Sequence, residues 1–135
     1  MDIIEKCKSV LMKYEDIIFA YIFGSYAREK IRKDSDLDIA VYLREEMDID
    51  TYLEIKMQLS EICKREVDLI LLNEAPPLLK FQIYKNNVLL FSRDKSIETR
   101  FKVRTLFEYS DMKRYLDLSY NSNIDRLKKE VKWNG

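Results

Sequence analysis

The chain has 135 residues and 47% hydrophobic side chains, enough for one domain with its own core and without a compositionally disordered segment. It contains no histidine, which excludes Ser-His triads, His-ligated zinc and histidine proton shuttles together. Its 24 basic and 24 acidic side chains cancel, which argues against a protein that lives on nucleic acid and needs a basic surface. The balance is uneven along the chain: residues 1–92 hold 13 basic and 17 acidic side chains, and residues 93–135 hold 11 and 7.

The charged start, Met1 to Lys6, has no signal-peptide core, and no apolar run approaches membrane-spanning length, so a cytoplasmic protein is expected. Asp2 with Glu5 reads as a capping box. Ile3, Cys7, Val10, Leu11 and Tyr14 then recur at helical spacing and predict a helix over 3–14. Cys7 and Cys63, far apart in sequence, read as buried or half-buried free thiols of a reducing compartment. Ile17 to Phe23 is an apolar run long enough for a buried strand.

Gly24-Ser25 follows at the mouth of that strand. Gly24 permits a tight turn and close backbone approach. Ser25 is expected to open a short helix, Tyr26 to Lys30, whose free N–H groups suit phosphate. The loop from Glu29 to Ser35 is densely charged. Arg28 lies one helical turn after Gly24, where it would return toward the phosphates, and Lys30, Arg32 and Lys33 stand close to where a triphosphate would lie. Each of the four is equally explained by a solvated loop or a structural ion pair.

Leu37 to Leu43 is a second strand. Asp36 and Asp38 are two residues apart and share one of its faces. Two bare carboxylates side by side repel unless a cation lies between them, and a divalent ion with oxygen ligands is the natural occupant. Phosphate on one side and metal on the other is the layout for a metal–nucleotide complex.

After an acidic connection, Thr51 and Glu54 suggest a second capping box, and Tyr52, Ile55, Leu59 and Ile62 mark one helical face ending near Lys64-Arg65. Glu66 to Leu72 reads as a third strand, apolar except for Glu66 and Asp68. Asp68 is either a strand-end residue partnered by Arg65 or Lys64, or a buried carboxylate held by metal. Pro76-Pro77 opens a helix over 78–85, and Val88 to Phe91 is a short last strand. A long helix begins at Asp94 or Ser96, with apolar residues at Tyr109, Met112, Leu116, Tyr120, Ile124, Leu127 and Val131. The polar run Ser119 to Asn123 is a candidate break in it. The strands are by then covered by earlier helices, so part of this basic, aromatic tail is expected to face a partner.

Gly24-Ser25, ten intervening residues and Asp36-Leu37-Asp38 resemble the signature of the nucleotidyltransferase superfamily. The short chain around it is similar to the minimal nucleotidyltransferases of the MntA type, antitoxins paired with HEPN ribonuclease toxins. Glu108 to Lys113 extends that likeness into the tail, and Glu29 departs from the glycine common at its place in the family. The resemblance implies an α/β fold, a small mixed sheet of about four strands with packed helices. It implies a single domain over 1–135, with a catalytic core over 1–92 and a helical, partner-binding extension over 93–135.

For the site, the resemblance implies that Asp36 and Asp38 hold two Mg²⁺ ions and that Asp68, the third carboxylate, binds the one near the acceptor. Gly24 and Ser25 would hold the phosphates of ATP. The implied activity is transfer of AMP to a hydroxyl, a tyrosine of a HEPN toxin, in a hetero-oligomer, with no membrane and no stable nucleic-acid partner. Two other readings stay open. One is a catalytically idle antitoxin acting by contact. The other is an aminoglycoside-type small-molecule transferase whose acidic cleft is lined by Glu45, Glu46, Asp48 and Asp50.

Overall fold

The computed structural model describes residues 1–27 and 35–134, and side chains as far as Val131. The elements run α1 (Ile3–Leu11), β1 (Ile17–Phe23), β2 (Leu37–Leu43), α2 (Ile49–Cys63), β3 (Val67–Leu71), α3 (Pro77–Lys85), β4 (Asn87–Ser92) and α4 (Lys95–Asn134). The four strands form one mixed sheet in the order β3-β2-β1-β4. β1 is antiparallel to both β2 and β4, while β2 and β3 are parallel. The parallel pair is joined through α2, as a crossover connection requires.

The alternation of each strand sorts its side chains between two helical layers. Leu37, Ile39, Val41 and Leu43 of β2 and Val67 and Leu69 of β3 pack with Cys7, Val10 and Leu11 of α1 and Ile55 and Leu59 of α2. Ala40 and Tyr42 of β2, with Phe19 and Tyr21 of β1, face Leu79 and Ile83 of α3 and Ile97 and Phe101 of α4. Central β1 is covered on both faces and therefore reads as one apolar run without alternation.

Local signals set most boundaries. Asp2 caps α1 by accepting from the Glu5 N–H at 2.8 Å. Asp94 caps α4, accepting from Ser96 and Ile97. α1 ends at Leu11 rather than at residue 14, and Tyr14 turns back with its N–H bonded to the Leu11 carbonyl. The capping box expected at Thr51 does not form: the cap position falls three residues earlier, at Asp48, and α2 starts at Ile49. α4 is not broken at Ser119–Asn123, because nothing in that run prevents helical hydrogen bonding.

The tail differs most from expectation. The first turns of α4 are part of the core: Ile97 and Phe101 lie on the sheet, and the Phe101 ring sits 5.4 Å from both Phe19 and Tyr42. Tyr109 stacks on Phe81 of α3 at 3.6 Å, and Lys80 pairs with Glu108 at 2.6 Å. Beyond Tyr109 the helix projects, with Tyr115, Leu116, Leu118, Tyr120, Leu127 and Val131 exposed.

Two contacts between distant residues were not legible as pairs. The Cys7 and Cys63 sulfurs lie 3.7 Å apart between α1 and α2. The shared hydrogen bond and burial raise the Cys7 thiol. The same bond, outweighing burial and helped by Lys6 and Arg65, lowers Cys63 to about 7. Glu98, 3% exposed, accepts from the Tyr21 hydroxyl at 2.7 Å. Burial works against its ionised form, but Tyr21 and Lys102 outweigh it and hold the carboxyl below its ordinary range. Burial and Glu98 push the Tyr21 hydroxyl up.

Tyr21→Phe should therefore cost about 1–3 kcal/mol at neutral pH, because it strips a buried carboxylate of a donor. A carboxyl with a lowered folded pKa contributes stability above its unfolded value of roughly 4.3, and that contribution fades as pH falls through the folded value. Urea melts of wild type and variant should thus converge in acid; a cost independent of pH would remove Glu98 as its source.

Candidate nucleotide and metal site

The site residues gather at one end of the sheet because four strand ends meet there. β1 finishes at Phe23, whose register partners are Asp38 on β2 and Asn87 on β4. Asp38 is in turn the register partner of Asp68 on β3. Asp38 and Asp68 thus lie side by side, on neighbouring strands about 4.8 Å apart. Both belong to the sheet face that further along carries Ala40, Tyr42 and Ile70, the α3–α4 side. Asp36, one residue before β2, is exposed at the same end, where the Leu37 N–H bonds to the Glu66 carbonyl and ties β2 to β3.

Gly24 makes the turn out of β1 with a φ of 71°, the left-handed region that favours glycine. It is also packed so closely on Asp38 that an added Cβ would overlap the carboxylate oxygen Oδ2 and lie 3.2 Å from Cγ. Space that any other residue would fill is given to the carboxylate. Gly24 to Ala27 form a turn, so Tyr26 and Ala27 do not start the expected helix. Arg28, Glu29, Lys30, Arg32 and Lys33 lie outside the described residues. Ser25 is half-buried in the turn.

Burial grades the three carboxylates. Asp38 is half-buried between its neighbours, and Asp36 and Asp68 are exposed. β3 is an edge strand, so Asp68 does not carry the cost of a carboxylate enclosed in a sheet. Among the described residues, no three acidic or cysteine side chains are already drawn around one point. What the site offers is an all-oxygen donor set at one sheet end, of the kind that hard divalent cations take. Asp38 and Asp68 could share one ion, with Asp36 beside them.

Two residues that sequence reasoning passed over support this end. Tyr26 is half-buried against the α1–α2 core and anchors the turn after Gly24. Asn87 donates to the carbonyls of Ile83 and Tyr84 and closes α3 beside the site. An aromatic two residues after a glycine and an Asn-Asn turn were the available signals. Glu45, Glu46 and Asp48 do line a hollow of about 390 Å³. It lies past the other end of β2, a strand length from Gly24.

A sheet of this topology, with a glycine turn pressed on one carboxylate and a second carboxylate in register beside it, defines a nucleotidyltransferase architecture. The chain belongs to the polymerase beta nucleotidyltransferase family, which it matches over residues 5–96. A relative from Methanocaldococcus jannaschii, provisionally named a protein adenylyltransferase, is 36% identical over 87 residues, covering 64% of this chain and 92% of that protein. The protein adenylyltransferase MntA of Shewanella oneidensis is 29% identical over 92 residues, or 68% of this chain and 66% of MntA. The structure is similar to a crystal structure of a toxin–antitoxin with AMP-PNP. The TM-score is 0.73 at 25% identity, covering 92% of this chain and 97% of the other. Among the described residues no helix is long and apolar enough to cross a membrane.

Proposed function

We propose that this protein is a cytoplasmic antitoxin that transfers AMP from ATP to a tyrosine hydroxyl of a HEPN-type toxin and neutralises it by that modification. The observation that carries the reading is the contact of Gly24 with Asp38 and the register of Asp38 with Asp68. That contact and that register support a phosphate-holding turn beside two carboxylates. The likeness to protein adenylyltransferases and to a toxin–antitoxin structure supports a protein acceptor.

In this reading the backbone N–H groups of the Gly24 turn and the Ser25 hydroxyl hold the phosphates of ATP. Asp36, Asp38 and Asp68 hold two Mg²⁺ ions. Magnesium bound there supplies charge compensation for the phosphates and makes the acceptor hydroxyl more acidic. Asp68, on the edge strand and exposed, faces the acceptor and takes its proton, while the acceptor oxygen bonds to the α-phosphorus of ATP, the bond from that phosphorus to the β-phosphate oxygen breaks, and pyrophosphate leaves. The projecting, apolar and aromatic part of α4 meets the toxin in a hetero-oligomer. Neither nucleic acid nor membrane has a place in the scheme.

Asp68→Asn separates modification from contact. It preserves size while removing the charge, so ATP should still bind through Gly24, Ser25, Asp36 and Asp38. Transfer should fall by roughly two to three orders of magnitude. Co-expressed with the toxin, the variant should bind its partner yet fail to protect the cells, and the toxin should lack AMP-sized mass additions. Full protection without a mass change would overturn the enzymatic reading in favour of an antitoxin acting by contact.

A further inference from the structure

A cleft lies at the other end of the sheet from Gly24 and Asp38. It has a volume of about 500 Å³ and opens between α4 and the ends of β2 and β3. That volume is in the range of small-molecule sites. Arg44 enters it from the end of β2, and Arg100 and Arg104 enter it one helical turn apart from α4. None of these three guanidinium groups has a salt bridge among the described residues. The cleft contains one carboxylate, Glu108, and Lys80 already neutralises it at 2.6 Å.

Three cations around one cleft repel one another and focus a positive potential into it. In a chain with no net charge, such a local excess asks for an anion. That all three are arginines narrows the anion, because their planar forks match phosphate oxygens in pairs. The floor is different in kind: Tyr42 and Phe101, with rings 5.4 Å apart, belong to an aromatic cluster and also line the cleft. An apolar, aromatic floor under a ring of guanidinium groups suits a ligand with a flat organic part and a phosphate tail.

We infer that the cleft walled by Arg44, Arg100 and Arg104 and floored by Tyr42 and Phe101 is a second ligand site, separate from the Gly24–Asp38 end, that takes a nucleoside polyphosphate. The phosphates lie on the arginines and the base on the aromatic floor. The site needs no metal, because the arginines supply the positive charge.

The test is calorimetric titration of the full chain with sodium tripolyphosphate and with ATP, both in excess EDTA, so that a metal-dependent site is silent. Both probes should bind with a stoichiometry of one, more weakly as salt rises, and ATP should bind more tightly than tripolyphosphate. Arg100→Gln with Arg104→Gln should weaken both by about tenfold or more, since each change removes a charge-assisted phosphate contact. Both positions are exposed and glutamine is a good helix former, so the fold should remain. Gly24→Val should leave this metal-free binding unchanged. Absence of metal-free binding, or equal affinity in the arginine double variant, would overturn the site. Loss in Gly24→Val with retention in the double variant would place the binding at the turn and overturn it as well. Tripolyphosphate binding as tightly as ATP would overturn the nucleotide assignment. None of these results depends on whether the protein transfers AMP.

Discussion

Asp38→Asn should lower nucleotide transfer by roughly two to three orders of magnitude while leaving the fold in place. Asp38 occupies the centre of the site: Phe23 and Asp68 are its register partners on either side, and the Gly24 backbone packs against its carboxylate. It is also the only half-buried member of the three aspartates, so its position is set by packing and not by solvent. The amide keeps the shape and loses the charge that would hold a cation. A urea melt without divalent metal separates the loss of that charge from any loss of the fold. Release of pyrophosphate from ATP in the presence of the toxin is the measurement. Near-normal release by Asp38→Asn would end the assignment of this carboxylate to the metal.

Gly24→Val should abolish magnesium-dependent ATP binding at the turn and cost about 1–3 kcal/mol of stability, through a β-branched residue forced to positive φ. The position carries two separate constraints. Its φ of 71° penalises any side chain, and its missing Cβ is the space into which the Asp38 carboxylate fits. Ala at this position meets both constraints with the smallest possible side chain and should fall between wild type and Val. Magnesium-dependent ATP titration together with urea melts of the two variants separates the loss of the site from the loss of the fold. Unchanged Mg·ATP affinity in Gly24→Val would show that the turn does not hold the phosphates.

Much of this protein was decided locally. β1 and β2 have the bounds that their apolar runs predict, because a strand covered on both faces or alternating between two layers writes its burial into consecutive residues. Asp2 and Asp94 act as caps for the same reason: a cap bonds to an N–H two or three residues away. The spacing of Gly24 and Asp38 suggested the candidate site, but the shared strand face expected for Asp36 and Asp38 does not apply, because β2 begins at Leu37 and leaves Asp36 outside it.

Tertiary structure decided what depends on residues far apart in the chain. Thr51 lost its cap position when α2 began at Ile49, and α4 stayed unbroken through Ser119–Asn123; propensity is a weak prior beside the geometry of a whole helix. The assignment of Ile97 and Phe101 to the core, of the Cys7 sulfur to Cys63, and of Glu98 to Tyr21 came only with the packing of distant elements. The acidic run after β2 looked like part of the site until the direction of β2 carried it to the opposite end, and the same direction brought Arg44 to Arg100 and Arg104. A sequence states which side chains share a face of one element. Which faces meet, and at which end of the sheet, is set by chain crossings that no local periodicity encodes.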